Sequence, residues 1–158
     1  FLREYVPGFE NCYLIATASL MGIRETRHFE GQYALTEEDI LAARVFDDWV
    51  VWDAHFNFDI HNVDGAGLDA NGAQAKFTQA RGYTIPLGCF LPKQVEGLLL
   101  CGRNISGTHK AHSNFRVMPI CVGMGEGIGA VAAYAVKHGV PYDKVDLAQI
   151  QAYLRKGE

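Results

Sequence analysis

The stretch GTHKAHSNFR, residues 107 to 116, sets two imidazoles and a guanidinium within ten positions. His109 and His112 are three apart, a spacing that can share one helix face. An imidazole that titrates near neutrality suits general acid–base work or contact with a polar substrate. A structural hydrogen-bonding role is the plain alternative. Metal ligation is the least favoured alternative, because no companion carboxylate follows at a useful spacing. Arg116 stands just before a predicted helix start, where a cation has no dipole reason to be, and that position suggests a bound anion. Arg24 and Arg27, in GIRETR, suit a negatively charged or hydroxyl-rich substrate, or else pair with Glu25 and Glu30.

These side chains need elements to hold them. His55, Asn57, Asp59 and His61 alternate with Phe56, Phe58 and Ile60, the period-two pattern of a half-buried strand whose polar face is solvated or lines a site. Upstream, residues 7 to 22 read as a short helix stopped at Gly22, and 22 to 35 as a strand or a strand pair broken at Gly31. Thr36 followed by Glu37, Glu38 and Asp39 resembles a helix start, with the helix carried to about Phe46. DDWVVWDA is β-rich, residues 62 to 72 form a glycine-rich loop, and Tyr83 to Leu91 read as extended. Leu98 to Cys101 is apolar on both faces, as in a buried strand of a parallel sheet. A polar loop leads from it to a long helix that starts near Pro119, ends on Lys137 and His138, and stops at Gly139.

Composition narrows the partners. The 158 residues are 49% hydrophobic and 20% charged, with a net charge of -4, which fits a folded domain and argues against nucleic acid or an anionic membrane surface. No uninterrupted apolar run reaches the ~20 residues of a membrane span, and no secretory signal is visible. The cysteines, at 12, 89, 101 and 121, form no C-x-x-C pair. Buried free thiols in a reducing, cytoplasmic setting are therefore expected rather than a zinc or iron–sulfur site. The chain begins at Phe1, in what reads as mid-sequence, and is expected to be a fragment.

Gly125, Gly127 and Ala130 spell a loose G-x-G-x-x-A, but a dinucleotide fingerprint must sit in the turn directly after a strand. Here the glycines fall inside the helix, so the motif fails on context. Gly123 and Gly127, with Gly125 and Gly129 beside them, serve tight packing or the close approach of a flat ligand.

The run EGLLLCGRNISGTHKAHSNFRVMPICVGMGEGIGAVAA resembles the carboxyl-terminal signature of the FAD-dependent oxidoreductase family, related to glutathione-reductase-type flavoproteins. GFENCYLIATASLMGIRETRHFEGQYALTEEDI, FDIHNVDG and YTIPLGCFLP match that family in order. Leu87-Gly88, Ser113-Asn114 and Glu126 depart from its usual Tyr-Arg, Gly-Ser and Gln, which leaves the substrate class open.

The resemblance implies a mixed α/β fold: a β-rich substrate-side portion over 1–95, the last strand and long helix of an FAD-binding domain over 96–140, and a tail helix over 141–158. It implies FAD held by Gly102, Arg103, Ser106, Val117, Met118, Pro119 and Ile120, with the helix start at the flavin pyrimidine edge. It makes His61, His109 and His112 the catalytic candidates, and His61 the expected partner of the later pair. Arg24 and Arg116 are the candidates for binding a small-molecule substrate. The family's amino-terminal half, with its true G-x-G-x-x-G, is expected from elsewhere, so an oligomer or a partner chain is anticipated. Two other readings stay open: a metal-dependent hydrolase using His55, Asp59, His61, His109 and His112, and a non-catalytic docking module.

Overall fold

The long helix organises the fold. The structure, a computed structural model, describes residues 1–61, 79 and 81–155. Its elements are α1 (Leu2–Tyr5), α2 (Glu37–Leu41), β1 (Trp49–Ala54), β2 (Tyr83–Pro86), α3 (His109–Phe115), α4 (Met118–His138) and α5 (Leu147–Leu154), a mixed α/β fold. Helix α4 has proline in its first turn and ends where Gly139 turns left-handed at φ 65°, with Lys137 and His138 in the last turn. Ile120, Met124, Gly127, Ile128, Val131 and Ala135 recur at three- and four-residue steps and form its buried face.

That face lies on β1, which pairs antiparallel with β2 through Trp49–Pro86, Val51–Ile85 and Ala54–Tyr83. Gly127 is the point of closest approach: a Cβ there would collide with the Val50 carbonyl. Gly123 meets only Val51, at 3.6 Å, and Gly125 and Gly129 face open space. Tight packing therefore accounts for Gly127, not for the whole strip. Helix α4 is long and apolar enough to cross a membrane by length and composition, yet its inner face is committed to β1 and α5. Helix α5 is capped by Asp146, and its Gln151 amide donates to the carbonyls of Asp47 (2.8 Å) and Trp49 (3.1 Å), tying the tail to the edge of β1.

Thr36 and Asp39 form the capping box of α2, each side chain bonded to the other's backbone N–H. The same carboxylate accepts from the Tyr33 hydroxyl (2.8 Å) and the Arg44 guanidinium (2.8 Å). Burial works against the Asp39 charge, but these bonds outweigh it and hold the carboxyl below its usual value. Burial, aided by that neighbouring carboxylate, pushes the Tyr33 phenol up to about 12.

Several expectations need correction. Residues 7 to 22 are not helical; Tyr13, Leu14, Ile15, Leu20 and Met21 are 78–88% exposed, and an apolar helix face needs a surface to bury against. The 22–35 segment forms no strand and makes only isolated bridges among the described residues, from Gly31 to Pro92 and from Leu35 to Gly107. Helix α2 stops at Leu41 rather than near Phe46, with Ala43 at φ 47°. Residues 55 to 61 form no strand, although Phe58 and Ile60 are buried. The extended run from Tyr83 ends at Pro86 and tightens into a 3-10 turn over Leu87–Cys89.

Leu98 to Cys101 is not a strand either. It is half-exposed, with the Leu100 N–H donating to Phe90 O. The polar loop before the long helix is itself helical, as α3, because the Thr108 hydroxyl accepts from the Ala111 N–H. All four thiols are free, but only Cys89 is buried and Cys101 is exposed. The glycine-rich stretch 62–72 lies outside the described residues.

Two outcomes follow from this packing, both read by denaturant unfolding of the chain. Gly127→Ala should lose about 1–3 kcal/mol, because the obstacle is a backbone carbonyl. Gly129→Ala, with open space, should gain up to ~1 kcal/mol of helix propensity; equal effects at the two sites would refute the assigned contact. Asp39→Asn should cost about 1–2 kcal/mol at neutral pH. A depressed carboxyl stabilises above its unfolded value, near 3.9, and loses that contribution as pH falls through its folded value. The variant should therefore show a flatter acid limb in its stability-versus-pH curve than the parent.

Candidate functional site

Helix α3 and the two residues that join it to α4 carry most of the predicted site. Asn114, fully buried on α3, accepts from the Tyr83 hydroxyl (2.7 Å) and donates to the Phe56 carbonyl, so one amide ties α3 to β2 and to the segment after β1. With α3 fixed, His109 and His112 meet the 24–28 segment and Arg116 meets Asp59.

The side chains fall into two groups, each around one carboxylate. Asp59 takes a 2.9 Å bond from Arg116 Nη2, whose other bond goes to the Asp59 carbonyl (2.7 Å). Arg24 lies 3.7 Å from the same carboxylate and contacts His61, which is itself 3.3 Å from Asp59. Glu25 centres the second group. Its oxygens lie 3.0 Å from His28 Nε2, 2.7 Å from His109 Nδ1 and 3.5 Å from His112 Nδ1. Burial works against the Glu25 charge, but the His28 bond and the His112 and His109 imidazoles outweigh it and hold its carboxyl below the usual range. His112 is only 1% exposed, and burial pushes its imidazole down to about 4 despite the pull of Glu25.

The arrangement differs from the sequence reading in its pairings. His61 does not join His109 and His112; it belongs to the Asp59 group, and His28 takes the expected place beside the later pair. Arg24 pairs with Asp59 and Glu30 with Lys93, so the anticipated Arg–Glu pairing of the 24–30 segment is not made there. The anion facing Arg116 is the chain's own Asp59. His55 stands apart, 3.4 Å from Asp53. Glu25 and His28 were missed as site residues, and their E-x-x-H spacing was the available signal.

The predicted cofactor residues surround the start of α4. Val117 is its N-cap and gives no side-chain cap. Pro119 has no N–H, and the Cys121 N–H donates to Val117 O (3.0 Å), which leaves Met118 and Ile120 as the first-turn donors without a backbone partner among the described residues. Met118 is 83% exposed while Ile120 anchors in the core at 5%. Gly102 is left-handed at φ 100°. The Arg103 guanidinium donates to the Ile23 carbonyl (2.7 Å), pinning the segment that leads to Arg24 and Glu25. Ser106 is buried, its N–H on Cys89 O and its carbonyl accepting from Leu35 N–H.

A carboxylate shared by three basic groups should matter to stability as well as to chemistry. Asp59→Asn should cost about 1–2 kcal/mol, less than a fully buried pair because Asp59 is 25% exposed, measured by denaturant unfolding. A change under 0.3 kcal/mol would count Arg116–Asp59 as a surface pair of no consequence.

No curated protein and no solved structure matches the chain. A family model does: the one described as FAD dependent oxidoreductase matches residues 1–154, nearly the full length. The uncapped start of α4 agrees in kind, since unpaired amides at a positive helix end suit an electron-rich ring edge or an anion. The chain belongs to the FAD-dependent oxidoreductase family, and its cofactor is FAD.

Proposed function

We propose that this chain is the carboxyl-terminal part of an FAD-dependent oxidoreductase, in which the Val117–Ile120 turn supports the flavin pyrimidine edge and the two carboxylate-centred groups form the substrate side. The observation that carries the reading is the uncapped, outward-facing start of α4 in a chain matched to the family over residues 1–154. Met118 and Ile120 offer N–H groups where reduction of a flavin develops negative charge, and the helix adds the equivalent of about +0.5 charge. Bound FAD supplies the hydride and electron chemistry, while the protein supplies position and field.

Within this reading, Arg103 and Gly102 lie towards the ribityl and phosphate portion. Arg24, more than half exposed beside Asp59, holds a polar small-molecule substrate, and the largely buried Arg116 positions Asp59 for it. His61, set against Asp59 and Arg24, moves the proton, and the exposed His109 on the Glu25 group offers a second imidazole, with the buried His112 supporting that group. The pyrophosphate-binding half comes from another part of the protein or from a partner chain. The exposed apolar side chains of Met118, Val122 and Val136 on α4, at 71–83%, fit a surface that such a partner covers.

The test is a visible absorbance titration with FAD, run on this chain and on the complete protein. The complete protein should be yellow and this chain nearly colourless; a complete protein that takes up no flavin would sink the reading. Val117→Asp in the complete protein separates the helix role. A carboxylate at that N-cap should steady α4 yet weaken FAD by roughly five- to thirty-fold, or about 1–2 kcal/mol, and lower the potential of the bound flavin. Unchanged affinity and potential would remove the turn from the flavin site.

A further inference from the structure

Glu25, His28 and His112 present one carboxylate oxygen and two ring nitrogens that all lie within 4.8 Å of one another. The cluster holds more acceptors than donors unless a proton or a metal ion lies between them. His28 Nδ1 is 3.0 Å from the Ile105 carbonyl, which can only accept, so that nitrogen carries the hydrogen. In a neutral imidazole Nε2 then has a lone pair, yet it faces a Glu25 oxygen at 3.0 Å. A positive centre belongs between them, and either a second ring proton, which makes the His28–Glu25 ion pair, or a metal ion supplies it.

His112 adds the second, independent observation. It is 99% buried, and neither of its ring nitrogens has a hydrogen-bond partner among the described residues; Glu25, at 3.5 Å from Nδ1, is near but makes no hydrogen bond. A buried unpaired polar group costs about 1–3 kcal/mol, so a side chain held this way needs a compensating interaction.

We propose that Glu25, His28 and His112 form a binding site for one divalent transition-metal ion of the zinc type. Two imidazole nitrogens and one carboxylate oxygen are a donor set for such ions, whereas calcium and magnesium call for oxygen ligands throughout. The Ile105 carbonyl orients His28 as second-shell carbonyls orient metal-ligating imidazoles. Bonds of about 2.1 Å would bring the ligand atoms to about 3.4 Å of each other, so the cluster contracts around the ion. Three protein ligands leave a coordination position for water or substrate. His109, 62% exposed, pairs with the same carboxylate at 2.7 Å.

The experiment is a calorimetric Zn2+ titration of the complete protein after metal removal, with Mg2+ run alongside. One Zn2+ per chain should bind and Mg2+ should not. Glu25→Gln and His28→Gln, both at partly exposed positions and each checked for an unchanged circular dichroism spectrum, should weaken Zn2+ at least about tenfold, the lower bound for losing even a second-shell partner. His55→Ala should leave it unchanged. Less than one equivalent of Zn2+ on the parent, or a parent-like Zn2+ affinity in both cluster variants, overturns the site. The flavin titration reads a different signal at the start of α4, so either result stands or falls without the other.

Discussion

The contact between Gly127 and the Val50 carbonyl is the constraint on which the rest depends. It brings the backbone of α4 against the backbone of β1, closer than any side chain would allow. A helix seated that low has its azimuth fixed, because only the Gly127 side can face the strand. Ile120, Met124, Val131 and Ala135 then bury on one line, and the far end of the helix, at Met118, is left at a set height beside the sheet. The two-residue link back to α3 inherits that position, and Asn114 fixes it from the other side through Tyr83 and Phe56. The candidate site is thus held by a glycine and an amide that take no part in its chemistry.

From that frame the electrostatics follow. Arg24 and Glu25 are neighbours in a stretch without regular secondary structure. One reaches the Asp59 group and the other the imidazoles, so a single segment supplies a charge to each. The segment has no sheet of its own. Arg103 holds it at Ile23 and the Ile105 carbonyl holds it at His28. Residues 102 to 106, read as a cofactor loop, thereby also position the side chains that face α3.

The sequence made the local devices legible and the pairings much less so. The α2 capping box, both ends of α4 and the β1 strand are set by neighbouring residues, and Thr36, Pro119, Gly139 and the WVV run declare them. Helix α3 is hard to read because its signal is one capping threonine and, of its buried residues, His112, Ser113 and Asn114 are polar beside Ala111 and Phe115. That His112 faces Glu25 rather than His61 depends on a contact 87 positions away in the chain, which no spacing rule encodes. The Leu98–Cys101 run failed for a different reason. Its pattern states that both faces want burial, but a strand exists only with a neighbour, and none pairs with it among the described residues.

The same argument bears on the amino-terminal segment. Tyr13, Leu14, Ile15, Leu20 and Met21 expose nearly all their surface, while burying one such side chain is worth about 1.5–3 kcal/mol. Five of them leave unrealised a stabilisation comparable with that of a whole domain. A patch of this kind is a surface awaiting cover rather than a finished exterior. The outer side of α4 repeats the pattern, with Met118 and Val122 exposed beside the open Gly125 and Gly129. Under the proposed reading a covering half accounts for both, and for the half-exposed 98–101 run as well. The well-packed core around β1 and α4 then explains how the chain keeps its site geometry while these surfaces stay open.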